Sequence, residues 1–168
     1  MFFNDETGQL SMEFIILIGF VLVLVILAVN VINTENELNT AISGARNGVM
    51  EGISINSLAI YPKTTYDGYA VNNSFLTYPK SIKLLKIEQI NQGFDSNYNK
   101  TKIQLKIYVS SSYNILNRAD KESIGDRINF NARKSIATIF KTTNLSNALY
   151  NPAFSNNYRF TTANVQWV

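Results

Sequence analysis

Glu13 is the residue with the sharpest chemistry in this sequence, because a long apolar run lies directly behind it. From Phe14 to Ile32 the only residues that are neither aliphatic nor aromatic are Gly19 and Asn30. A carboxylate at the mouth of such a run is costly to bury unless a cation or a hydrogen-bond donor meets it, and ionisable groups at membrane depth are functional candidates by default. The plainer alternative puts Glu13 at headgroup level in the first turn of a helix, where a negative charge suits the dipole. Elsewhere the chemistry is sparse. Cysteine and histidine are both absent, which removes Cys/His zinc sites, thiol and Ser-His nucleophiles and the usual acid/base of neutral pH. Glu122 and Asp126 stand one helical turn apart, but a hard cation needs more oxygens than two, and Arg118, Lys121 and Arg127 beside them read as a surface charge mesh. With no nucleophile–base pair, phosphate loop or metal-ligand cluster, the expectation is a protein that is not an enzyme and holds no metal or cofactor.

The apolar run sets the organisation of the chain. At a helical rise of about 1.5 Å per residue it covers roughly 28 Å, close to the hydrocarbon thickness of a bilayer. A secretory signal places its small-residue cleavage site after the apolar core. Here the small residue, Gly8, precedes the core, so cleavage at Gly8–Gln9 leaves the whole helix on the product. Gln9, Ser11, Glu13 and Phe14, directly after Gly8, resemble the class III signal peptide of archaeal type IV pilins, whose mature chains begin Gln-x-Ser-x-Glu-Phe. The resemblance covers roughly the first 30 residues. It implies removal of residues 1–8 by a prepilin peptidase, and a role for Gln9, Ser11 and Glu13 in recognition or register. It also implies a meeting of the Glu13 carboxylate with the new N-terminal amine, that of Gln9, of a neighbouring subunit. The leader departs from the family in one respect: Met1 to Thr7 carries Asp5 and Glu6 but no Lys or Arg. Neither flank of the helix is rich in Lys or Arg, so the orientation, head outside, follows from the resemblance and not from charge.

Composition bounds the rest. The 168-residue chain fits one domain beyond the helix. Without cysteine no disulfide staples an extracellular head, and its stability must come from packing. The formal charge of +3 becomes 15 − 10 = +5 once Asp5 and Glu6 are lost with the leader. The positive residues Lys63, Lys80, Lys83, Lys86, Lys100, Lys102 and Lys106 are spread across the middle of the chain, as on solvated strand faces, and call for no specific nucleic acid. Asparagine occurs 22 times, and Asn72, Asn99 and Asn144 each begin an Asn-x-Ser/Thr sequon, candidates for N-glycosylation on an exported chain.

Along the chain, Leu38, Ile42, Ala45, Val49 and Ile53 recur at helical spacing, so the helix is expected over residues 9–54, spanning or polymerising at 14–32 and amphipathic at 33–54. Gly48 and Gly52 read as a kink or a fray. Residues 55–81 read as a surface excursion with two Tyr-Pro-Lys copies, a short strand near Phe75 to Tyr78, and Tyr61, Tyr66, Tyr69 and Tyr78 either as a contact patch or as caps on the core. Lys102 to Val109 alternates cleanly, with Ile103, Leu105, Ile107 and Val109 on one face. Ile82 to Ile90 alternates poorly, and a hairpin joins the two. A helix is expected near 117–140 with Ile124, Ile128, Ala132, Ile136 and Phe140 inward and Arg133 outward. A loop over 144–158 and a final strand over 159–168 complete the chain.

The expected fold is therefore α+β: a long N-terminal hydrophobic helix carrying a small head, residues 55–168, with an antiparallel sheet of three or four strands and one packed helix. The resemblance implies a structural subunit, major or minor, of a surface filament serving adhesion. Its partners would be copies of itself and other pilins, the peptidase, an assembly ATPase with its membrane platform protein, and the membrane before assembly. A membrane-anchored extracellular binding module that does not polymerise is the alternative.

Overall fold

The computed structural model describes residues 6–58, 71, 82–112 and 118–168, with the side chains of the first helix described over residues 12–54. The expected short strand near Phe75 to Tyr78, the two Tyr-Pro-Lys copies and Tyr61, Tyr66, Tyr69 and Tyr78 lie outside the described residues. The elements are α1 (Glu6–Leu58), β1 (Ile82–Asp95), β2 (Lys100–Ser111), α2 (Arg118–Ile139), a 3₁₀ turn (Thr143–Leu145), β3 (Ala153–Phe154), β4 (Tyr158–Thr162) and β5 (Gln166–Trp167). The chain divides into two compact units, Met1–Asn36 and Glu37–Val168. The fold is α+β, as the alternation of period 3.6 and period 2 segments requires.

In the second unit, α1 contributes one narrow face to the core. Leu38, Ala41, Ala45 and Val49 are buried, and Gly44, Gly48 and Gly52 lie buried beside them. These glycines are not a kink. A methyl group on Gly48 would stand 2.2 Å from the Asn131 carbonyl oxygen and 2.9 Å from the Ala132 Cα, and one on Gly52 would stand 3.0 Å from the Ile128 Cα. The backbones of α1 and α2 therefore meet without side chains between them, and α1 continues unbroken to Leu58. The contact is fastened where Arg127 Nε donates to the Gly52 carbonyl at 2.9 Å.

The sheet has the order β1-β2-β4-β3, with β5 also on β2. Ile103, Leu105, Ile107 and Val109 of β2 are all buried and form the centre of the core with Ile124, Ile128, Ala132 and Ile136 of α2. The irregular pattern of β1 has a local cause. Its register against β2 shifts between Leu84 and Lys86 and again between Asn91 and Phe94. The first bulge turns Leu85 out and lets Leu84 and Ile87, three positions apart, both pack on the core. At the second bulge Gly93 takes φ +85°, which a side chain would strain, and its N–H donates to Asn91 Oδ1 at 2.8 Å. Gly93 thus serves the bulge, while the turn itself is Ser96 to Asn99.

Antiparallel pairing holds for β1–β2 and β3–β4, but β4 and β5 run parallel to β2. The reason is the connection: α2 carries the chain past the position beside β2 to the far edge, where β3 runs opposite to β2, and the tight reversal from β3 back into β4 turns the chain once more, so β4 fills the gap parallel to β2. The expected single final strand is broken. Thr101 pairs with Tyr158 and Leu105 with Thr162, an offset of 57, whereas Tyr108 pairs with Gln166, an offset of 58. One extra residue is accommodated over Ala163 to Val165, and buried Asn129 caps the break by donating from Nδ2 to the Ala163 carbonyl at 3.0 Å.

Arg133 also departs from expectation: only 8% of it is exposed. Its Nε and Nη2 each donate to the Leu149 carbonyl at 3.3 Å, and Nη1 donates to Thr162 Oγ1. Burial works against its positive charge, and Asp126 works for it. The 144–158 segment is held further by Glu37 of α1, whose two carboxylate oxygens accept from the Asn157 N–H at 2.8 Å and Nδ2 at 2.7 Å.

The glycine contact predicts different effects for the same substitution at two positions. Alanine raises helix propensity by up to about 1 kcal/mol over glycine, yet at Gly48 its methyl meets backbone that no rotamer change can move. Gly48→Ala is expected to destabilise the head by about 1–3 kcal/mol, while Gly19→Ala, with nothing within 4 Å, leaves its unfolding unchanged. Thermal unfolding of the two purified variants followed by circular dichroism checks this.

Candidate functional site

The candidate site is the first half of α1. Gly8 and Gln9 lie in the opening turn and a half of the helix, which begins at Glu6. Ser11 stands in the same helix.

Glu13 is exposed, and among the described residues no cation or hydrogen-bond donor reaches its carboxylate. The run behind it is exposed on every side, from 44% at Ile18 to 65% at Ile15 and Ile16. That separates it from a soluble core helix, whose apolar side would be covered. None of the window that qualifies as a membrane span is buried, so the chain carries a helix long and apolar enough to cross a bilayer as a single pass. The polar interruptions are local. Asn30 offers its carbonyl to Thr34 Oγ1 at 2.8 Å, and Gly19 leaves an open notch.

Two of the three sequons are described, and Asn72 lies outside the described residues. Asn99 is exposed in the β1–β2 turn at φ 52°, and Asn144 is exposed in the 3₁₀ turn. Their surroundings differ in one respect: the hydroxyl of Ser146, third residue of the Asn144 sequon, donates to the Pro152 carbonyl at 2.8 Å.

The lysines divide as the alternation of β2 predicts. Lys102 and Lys106 share the outer face of the sheet with Gln104 and Tyr108, beside Lys86 and Glu88 of β1. Lys86 donates to Glu88, Tyr108 Oη donates to its other oxygen at 2.7 Å, and the Lys86 ammonium lies 4.5 Å from the Tyr108 ring centre. These are the contacts of a solvated face.

Glu122 and Asp126 open onto a cleft that sequence reasoning missed. Arg118 Nε donates to Glu122 at 2.8 Å, and Trp167 stands across from them on β5. Among the described residues no group of three or more Asp, Glu, His or Cys could hold a metal ion. About forty residues of sequence separate the two walls, and no local pattern links them.

Glu88 supplies a pH prediction. Hydrogen bonds from Lys86, then from Tyr108, hold its carboxyl below the ordinary glutamate value. A lowered folded-state pKa gives stabilisation that is complete at neutral pH and is lost as pH falls through that lowered value. Glu88→Gln should therefore flatten the acid side of the Tm-against-pH curve slightly. The exposure of the pair keeps the effect small.

No protein-family profile, no curated protein and no solved structure matches this chain.

Proposed function

We propose that the chain is a structural subunit of an archaeal type IV pilus-like surface filament, cut between Gly8 and Gln9 and assembled through α1. The observation that carries this reading is the uncovered apolar half of α1, exposed on all sides from Phe14 to Ile32 behind a single unpartnered carboxylate, Glu13. A helix satisfies its own backbone in lipid and in a bundle alike. The exchange of lipid for neighbouring helices gains no hydrophobic energy, so close packing and polar groups must set the register. Gly19 offers a notch for close packing. Glu13 offers the polar group, and the N-terminal amine freed at Gln9 of a neighbouring subunit is the cation that meets it.

On this reading the partners are further copies and other pilins, a prepilin peptidase, and an ATPase with its platform protein that supply the work of extraction from the membrane. The mature protein stands at the cell surface and serves adhesion. These assignments rest on the motif Gln9, Ser11, Glu13, Phe14.

Glu13→Gln removes the charge and keeps the size. Leaving one member of a buried charge pair without its partner is strongly destabilising, which corresponds to a loss of filament yield of roughly ten-fold or more. Cleavage is expected to proceed as in the parent. Normal filament yield from this variant contradicts the assembly role. A processed protein that stays monomeric and detergent-extractable, in the parent as well, favours the anchored binding module.

A further inference from the structure

The first turns of α2 and strand β5 enclose a cleft of about 470 Å³. That volume lies within the ordinary range for small-molecule sites. Its walls carry Arg118, Lys121, Glu122, Asp126, Asn129 and Trp167. Two cations face two carboxylates, and Arg118 is already paired with Glu122 at 2.8 Å. The balance gives no field for an ion: a phosphate would meet both carboxylates, and a metal ion both cations.

What the cleft does offer is a dense mixture of donors and acceptors beside one aromatic surface. Asn129 is only 7% exposed, its Nδ2 is used on the Ala163 carbonyl, and its Oδ1 has no partner. That oxygen is closed off from solvent, so Asn129 fixes the floor of the cleft, and the groups open to a ligand are those of Asp126, Glu122 and Lys121. Trp167 is half-buried, and the Lys121 ammonium lies 5.9 Å from its ring centre. An apolar ligand face set on that ring would displace the flexible Lys121 stem and turn its ammonium into a further donor.

We propose that this cleft binds a neutral sugar residue, with the C–H face of the pyranose on Trp167 and its hydroxyls shared among Asp126, Glu122 and Lys121. A hydroxyl both donates and accepts, so a polyol is the class of molecule that uses both signs of this lining at once. The inference concerns the head alone and does not depend on assembly.

Trp167 is the only tryptophan of the chain, so fluorescence excited selectively at tryptophan, beyond the absorption of the nine tyrosines, reports on this cleft. The experiment titrates the full-length protein in detergent with glucose, galactose, mannose and N-acetylglucosamine, and separately with inorganic phosphate and magnesium chloride. The expected result is a saturable change with at least one sugar, half-complete at about 1 mM or above, as befits an open site. Asp126→Ala is expected to weaken it ten-fold or more. Asp126 is exposed, so that variant should keep the fold, which its circular dichroism spectrum checks. No saturable response to any of the four sugars overturns the proposal. So does an affinity unchanged in Asp126→Ala, or a response to phosphate or magnesium in place of sugar.

Discussion

At Gly48 the backbone of α1 comes so close to that of α2 that a methyl group would sit 2.2 Å from a carbonyl oxygen. Most of the second unit depends on that approach. It sets where α2 lies, and α2 in turn holds the pieces that have least structure of their own. Arg127 reaches back to the Gly52 carbonyl, Asn129 caps the break between β4 and β5, and Arg133 holds the Leu149 carbonyl. Three polar side chains from neighbouring turns of one helix thus tie down segments that cysteine, absent here, cannot staple. The interior is close-packed, so a shift of α2 is felt at all three.

Helix α1 obeys two different rules along its length. From Phe14 to Ile32 its side chains are large and apolar on every side, with only Gly19, Ala28 and Asn30 as exceptions, the composition lipid or a bundle of like helices requires. From Leu38 onward the buried positions are mostly Ala and Gly, and the large residues give way to close backbone contact. Large side chains in the second half would hold α2 away from the core. A glycine-rich face in the first half would give lipid little to cover. The polar stretch Asn33 to Glu37 separates the two compositions, and the division of the chain into its two compact units, between Asn36 and Glu37, falls within it.

Much of the head was legible because its strongest signals are local. The alternation from Ile103 to Val109 and the four-residue steps from Ile124 to Ile136 each specify one face, and both faces are buried in the core. What escaped is what depends on a distant partner. Gly48 and Gly52 read as helix-weakening, since propensity contains no neighbour; their spacing with Gly44 at four-residue steps was the available sign of close approach. The Leu85 bulge blurred β1, and nothing local announces that the last strands pair parallel to β2. Arg133 read as outward because its acceptors, the Leu149 carbonyl and Thr162, lie 16 and 29 residues away. The Trp167 cleft escaped for the same reason. The N-terminal motif is the reverse case: it is plain in the sequence, but the partner that Glu13 calls for belongs to another molecule.

The central claim, that the apolar half of α1 is kept after processing and used to join subunits, is tested most directly by intact mass and N-terminal sequencing of the protein in a sheared cell-surface fraction. The account predicts a mature chain beginning at Gln9 within a shearable polymer. A chain still beginning at Met1, confined to the membrane fraction and absent from the sheared material, would contradict it.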